Sequence, residues 1–314
     1  MPTSPKKPSR PPIAPVVSGT PDVDPRWLLK MLGVVLGAAL LCGYLTLCLL
    51  FYQGQWQFIL HPDITNKATP AAVSLPFEDV AFDVTEAGQP QLHGWWIPAA
   101  TAAPGTFTTP ARYGSATILY LHGGTGSLAD TLPPLKELHD AGLNIFAFDY
   151  RGFGQSAGPH PNQQRMQEDA EAAWSYVTHT RRFPATHLIP YGEGIGGGLV
   201  VHLLQLHPRI PAIILDRPVF DIIPVVRKDP RTTLIPVRLL FRERFEIAKP
   251  LATLETPKLL FIGDDPLSDE TKALNAVADP KFTIHTGISS ADARSQSLSR
   301  FLDEYLPDPA LIPQ

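Results

Sequence analysis

The sequence predicts an α/β protein, a mostly parallel sheet with helices on both faces, preceded by one N-terminal transmembrane helix. Three observations carry that expectation. Short, wholly apolar runs such as ATILYL (116–121) and KLLFI (258–262) alternate with longer stretches of helical period, the pattern of strands buried on both faces of a sheet. Two of the runs end in glycine-rich turns, Leu121-His122-Gly123-Gly124 and Tyr191-Gly192-Glu193-Gly194, where a strand feeds a helix. Finally, residues 31–53 contain no charged side chain.

At 314 residues and a net charge of −4, the chain has room for one large domain and an appendage. The charge balance offers no basic field for nucleic acid, so none is expected as a partner. Both cysteines, Cys42 and Cys48, lie in the apolar run. That excludes a disulfide framework, Cys-ligated zinc and a cysteine nucleophile from the rest of the chain.

Residues 1–25 hold eight of the 34 prolines and show no hydrophobic period. They bury too little apolar surface to offset ordering, and a disordered Pro-rich tail is expected. A transmembrane helix is expected over 28–53, inserted in the membrane through 31–52. Twenty-two helical residues reach roughly 33 Å, enough for a ~30 Å hydrocarbon layer. The stretch FYQGQWQF that follows lacks the small-x-small site of a cleaved signal peptide. Lys6, Lys7, Arg10, Arg26 and Lys30 precede the span, and Asp63 and Lys67 are the first charges after it. This asymmetry predicts a single-pass protein with a cytoplasmic N-terminus and its main domain on the outer, periplasmic or extracellular, side.

The domain is expected over 55–314. Strands are predicted at 77–84, 91–97, 116–121, 144–148, 187–191, 212–215, 258–262 and 282–284. Helices are predicted at 132–141, 163–180, 194–206, 269–277 and 291–305. Residues 220–254 are broken by Pro224, Pro230, Pro236 and Pro250 and are expected to form a short cap. Right-handed crossovers place the strand-to-helix loops on one rim, where ligands bind.

Three of those loops carry recognisable motifs: Leu121-His122-Gly123-Gly124-Thr125-Gly126, Asp149-Tyr150-Arg151-Gly152-Phe153-Gly154-Gln155-Ser156, and Gly192-Glu193-Gly194-Ile195-Gly196. Together they resemble the α/β-hydrolase superfamily, and within it the membrane-anchored, serine-aminopeptidase-like branch, from about 55 to 306. The resemblance implies an α/β-hydrolase sheet. It also implies backbone N–H groups of Gly124 and Ile195 as the oxyanion-hole-like pair, and the third motif as the turn that presents a nucleophilic serine.

That turn holds Gly194 where the family has its serine. Glu193, at the variable position before it, is a poor substitute. The family's acid falls at Asp265, with Asp264 as the fallback, and either also reads as a solvated loop carboxylate. Its base position falls in Gly287-Ile288-Ser289-Ser290, so Ser289 or Ser290 stands where a histidine belongs. His285 lies four or five residues earlier, roughly 13–16 Å away in extended chain. None of the ten histidines shows metal-ligand spacing, so neither a metal nor another cofactor is expected.

The expectation is therefore a family member with a degenerate triad, a pseudoenzyme that binds an acyl or lipid-like small molecule or acts as a scaffold. An active esterase, lipase or peptidase with a relocated nucleophile (Ser127, Ser156 or Ser289) and base is the alternative. A decayed paralogue without a distinct role is a third.

Overall fold

Wholly apolar strands need cover on two faces, and the chain supplies it by alternating them with helices. In the computed structural model, residues 24–65, 68–84, 90–99, 113–263, 268–285 and 291–306 are described. Among them, eight strands build one sheet: β1 (Glu78–Val84), β2 (Pro90–Ile97), β3 (Thr117–Leu121), β4 (Asn144–Asp149), β5 (Leu188–Glu193), β6 (Ile213–Asp216), β7 (Lys258–Ile262) and β8 (Lys281–His285). Their order across the sheet is β8-β7-β6-β5-β3-β4-β2-β1. β2 runs antiparallel to both of its neighbours, and the remaining pairs are parallel.

The chain divides into two compact units between Leu49 and Leu50. Helix α1 (Pro25–Gly54) is 30 residues long, about 45 Å. It is the one helix among the described residues long and apolar enough to cross a membrane. That fits a single-pass anchor.

In the second unit the helices are α2 (Leu132–Asp140), α3 (Gln163–Ser175), α4 (Gly196–Leu206), α5 (Ile223–Arg227), α6 (Val237–Leu240), α7 (Ala248–Leu251), α8 (Ser268–Ala276) and α9 (Ala291–Tyr305). Two helix boundaries differ from expectation by more than one residue. The helix predicted over 163–180 is regular only to Ser175 and widens into a π turn at Tyr176–Thr180, where the Thr178 hydroxyl donates back to the Trp174 carbonyl at 2.8 Å. The helix predicted from 194 starts at Gly196, because Gly194 and Ile195 form the turn ahead of it. The irregular 220–254 stretch consists of α5, α6, α7 and a 3-10 turn at Pro230–Thr232.

Trp95, Tyr120, Tyr191, Phe146, Phe148 and Phe261 are fully buried on the central strands. The loop after β4 is held by charge. Arg151 pairs with the buried Asp169 at 2.5 Å and with Glu168 at 2.6 Å, and the Ser156 hydroxyl donates to the Asp149 carbonyl while accepting from the His93 N–H at 3.0 Å.

The topology fixes where a ligand can sit. From β3 the chain moves to β4 on one side, and β5 then takes the place on the other side of β3. That reversal leaves a crevice at the carboxyl ends of β3 and β5. Leu121 and Gly192, the strand-end partners across it, lead directly into the two glycine-rich turns.

Candidate functional site

A cavity of about 390 Å³ occupies this crevice. The turn after β3 contributes Gly123, Gly124 and Thr125, the turn after β5 contributes Glu193, Gly194 and Ile195, and Arg217, Val219, Ile222 and Val225 follow β6. The remaining wall is Phe58, Ile59 and His61, from the segment that follows α1. That segment is bound to the rim through its backbone: His61 N–H donates to the Gly124 carbonyl and Asp63 N–H to that of Gly126, both at 2.7 Å, and Gly154 N–H donates to the Asp63 carbonyl at 2.9 Å.

At the centre of the β5 turn, Gly194 has φ +55°, a left-handed conformation that side chains disfavour. A Cβ built on Gly194 meets no atom within 4 Å. Its flanking glycines are the opposite case. A Cβ on Gly196 would lie 2.2 Å from the Leu121 carbonyl oxygen, and one on Gly192 would lie 2.7 Å from Gly197 backbone atoms. Close approach therefore demands glycine at 192 and 196, whereas the residue between them sits in open space. Gly124 and Ile195 are brought together across the crevice, since a Cβ on Gly124 would come within 2.7 Å of Ile195 Cδ1.

Beside this turn the polar groups are paired with one another. Glu193 accepts from the Tyr120 hydroxyl at 2.7 Å and from Arg217 at 2.5 Å. Beneath it, Asp216 accepts from the Tyr191 hydroxyl at 2.8 Å and from Arg294 at 2.9 Å. Arg294 also meets both Glu137 oxygens at 2.9 Å and lies 3.9 Å over the Phe261 ring. Burial lowers the Arg294 pKa, but the Tyr191 and Asp216 groups outweigh it and the net shift is upward. Burial raises the pKa of Glu137, and the Arg294 charge opposes that shift.

His122 follows β3 but packs inside. Its Nδ1 is 2.8 Å from the Gly123 carbonyl, its ring centre 4.4 Å from that of Tyr150, and its Nε2 3.8 Å from Asp149. Burial lowers its pKa to about 4. Burial likewise raises that of Asp149 to about 7, against N–H groups of Leu128 and Gln155. This pair supports the loop and takes no place in the cavity wall.

Of the predicted site residues, Gly194, Gly124 and Ile195 converge on the cavity. Asp264, Asp265, Ser289 and Ser290 lie outside the described residues. His285 ends β8 on an exposed surface. Ser127 and Ser156, the other candidate nucleophiles, are buried in the fold. Among the described residues no cluster of His, Cys, Asp and Glu has the makings of a metal site.

The family model described as "Serine aminopeptidase, S33" matches residues 114–296, a stretch that contains every strand from β3 to β8 and all three motif loops. The chain belongs to the serine aminopeptidase S33 family. Among its relatives, the uncharacterized protein YfhR of Escherichia coli is 32% identical over 143 residues, 45% of this chain and 48% of YfhR. The match thus spans about half of that relative's length. An uncharacterized protein of Mycobacterium tuberculosis is 25% identical over 246 residues, covering 77% of this chain and 82% of its own. Protein bem46 of Schizosaccharomyces pombe is 31% identical over 115 residues, covering 35% of this chain and 38% of bem46. Among solved structures, an esterase of Pyrococcus furiosus superposes with a TM-score of 0.59 at 19% identity, over 79% of this chain and 99% of that one. An alpha-beta hydrolase of Vibrio vulnificus gives 0.54 at 19% identity, over 73% and 79%. These likenesses establish the α/β-hydrolase fold.

Sequence reasoning about this family member missed Phe58, Ile59, His61 and Arg217 as cavity residues. The first three adjoin the anchor, remote from every motif. Arg217 has φ +48°, and its guanidinium meets Glu193 at 2.5 Å. The only signal in sequence was Asp216-Arg217-Pro218 directly after a predicted strand.

Proposed function

We propose that this chain is a membrane-anchored member of the serine aminopeptidase family that lacks serine-hydrolase activity and binds an acyl or lipid-like small molecule. In this reading 1–25 is a cytoplasmic tail, 28–53 is the span, and 55–314 is the hydrolase-fold domain on the outer side, with 220–254 as its cap. One observation carries the loss of chemistry. The turn that should present the nucleophile keeps its obligatory close-packed glycines at 192 and 196, so its register is fixed, and the residue at its centre is Gly194. A residue without a side chain offers no group to attack a carbonyl. Ser289 and Ser290, in place of the family's histidine, and Asp265 as a remnant acid complete the degenerate triad.

Binding is supported by what the cavity keeps. Phe58, Ile59, Ile195, Val219, Ile222 and Val225 give apolar walls, and polar groups gather at one end with Glu193 and Arg217. That combination, in a volume of about 390 Å³, is typical of small-molecule sites. Glu193 is no replacement nucleophile, because Tyr120 and Arg217 already hold its carboxylate.

The active-hydrolase alternative has one observation in its favour. His61 and Thr125 are partners across a two-residue parallel bridge, and both line the cavity. Fluorophosphonate labelling of the purified full-length protein separates the readings. No covalent adduct is expected. An adduct at one serine, or at Thr125 and lost in Thr125→Ala, would overturn the inactive reading. Methyl palmitate should raise the melting temperature, and by more than palmitate, whose free carboxylate meets the Glu193–Arg217 pair; no shift with either would overturn the binding role.

A further inference from the structure

We propose that the cap segment 223–249 is a membrane-docking surface, with its exposed leucines and unpaired basic side chains seated among anionic lipid headgroups of the leaflet where α1 ends. This rests on α1 being a membrane span, as proposed above.

The first observation is where the segment is tied. Phe241 is buried with its ring 6.3 Å from that of Phe51. The Arg242 guanidinium lies 5.7 Å from the centre of the Tyr52 ring, and the Arg242 backbone N–H donates to Gln55 Oε1 at 2.5 Å. Eleven residues earlier, the Arg231 guanidinium covers the Phe58 ring at 4.7 Å, and Phe58 lies 5.2 Å from Phe51. Both ends of the 231–242 stretch are thus fixed to the last turn of α1 and to the turn that follows it. Phe51 and Tyr52 close the apolar run, so this stretch sits at the level of the membrane–water interface.

The second observation is what the stretch exposes between its ties. Leu234 is 73% exposed and Leu239 78%. On α5, which packs against α6, Val225 is 45% exposed and also lines the cavity. Scattered exposed leucines are ordinary on a protein facing water. These two are bracketed by contacts to the end of a membrane helix.

Charge is the third observation, and it selects the occupant. Residues 223–249 hold seven basic and three acidic side chains in a chain of net charge −4. Among the described residues no carboxylate pairs with Arg227, Lys228 or Arg238, and all three are exposed. Long basic side chains lay their stems on the apolar layer and reach phosphate with their heads. Leucine beside arginine on a short amphipathic segment suits a lipid surface.

The test uses the full-length chain with Cys42→Ala and Cys48→Ala, and one new cysteine carrying an environment-sensitive fluorophore. It is reconstituted into phosphatidylcholine vesicles, with or without phosphatidylglycerol, that contain a doxyl-labelled quencher lipid. Glu255→Cys is the reference: Glu255 is exposed and precedes β7, at the rim opposite the cavity. A label at Leu239→Cys should be quenched at least about twofold more than one at Glu255→Cys, as expected for a residue lying in the interface. Adding Arg227→Glu and Arg238→Glu should weaken the gain seen with phosphatidylglycerol, by roughly fivefold in affinity for each basic charge removed. Equal quenching at the two sites would overturn the docking surface. So would a Leu239→Cys label shielded from aqueous iodide yet untouched by doxyl lipid, which would mean a protein partner or a second copy covers it. Flotation after alkaline carbonate reports the span separately. Protein lost from the vesicles would overturn the span and the docking with it, whereas floated protein with equal quenching overturns the docking alone.

Discussion

Placing a serine at Gly194 is the most direct perturbation the site allows, and its cost can be worked out. The backbone there has φ +55°, and a new Cβ meets nothing within 4 Å. Gly194→Ser therefore pays no steric penalty, and its whole cost is that of a left-handed conformation, about 1–2 kcal/mol. For a domain of this size that lowers the melting temperature by roughly 2–8 °C. Gly196→Ala is the control: its Cβ would sit 2.2 Å from the Leu121 carbonyl oxygen, so the start of α4 must move away from the end of β3, and the loss should be at least about twice as large. Differential scanning fluorimetry reads both. A p-nitrophenyl ester assay of Gly194→Ser should show no turnover above the parent, because a serine hydroxyl without a base is a weak nucleophile. Turnover in Gly194→Ser would refute that reasoning. If it vanished in Gly194→Ser with His61→Ala, the imidazole in the cavity wall would be the base.

Two further predictions concern the buried charges. With its pKa raised from 3.8 to about 7, Asp149 holds in the native state a proton that the unfolded chain has lost, so its contribution to stability falls as pH rises from about 4 through 7. His122, lowered from 6.5 to about 4, works in the other direction, and its contribution rises across that range. The two slopes offset, so urea midpoints should climb from pH 4 to 6.5 in Asp149→Asn and fall over the same range in His122→Asn; parallel curves for both variants would refute the assignment. Arg294→Met strands Asp216 and Glu137 without their shared cation and should cost about 3 kcal/mol. That loss should be greater at pH 8 than at pH 5, since without Arg294 nothing opposes the burial that raises the Glu137 pKa, and the lost stability appears as pH rises through it. Arg294→Lys should recover only part of it, because an ammonium cannot reproduce the forked contacts; full recovery in chemical denaturation would refute the geometric argument.

The fold was legible because its signals are local. The continuous apolar runs TILYL and KLLFI become buried strands with the predicted limits to within a residue. The glycine frame at 192, 194 and 196 could be read in sequence because close approach permits no side chain at its outer positions. The cavity was less legible, since its walls come from places that carry no periodic pattern. Phe58 and His61 reach it through backbone pairing of the segment after α1 with the turn after β3, and nothing in a sequence records such a bridge. Arg294 was equally hidden: it belongs to no motif, and only the fold brings its side chain from α9 to Asp216 and Phe261.

These hidden residues bear on what the cavity can hold. Arg217 is the cation in its wall, and at 2.5 Å it is already engaged by Glu193. A free carboxylate entering beside Ile195 would compete with Glu193 for that cation and would face the like charge of Glu193 itself. An ester or amide carbonyl carries no such penalty, because backbone N–H groups at the start of α4 and in the β3 turn favour an acceptor whether or not it is charged. The same pairing works against a developing oxyanion, the species a hydrolase must stabilise most. On the proposed inactive reading, Glu193 would be a second obstacle to acyl transfer beside Gly194. If the proposed binding role holds, the two together would favour retention of a neutral acyl ligand over its hydrolysis.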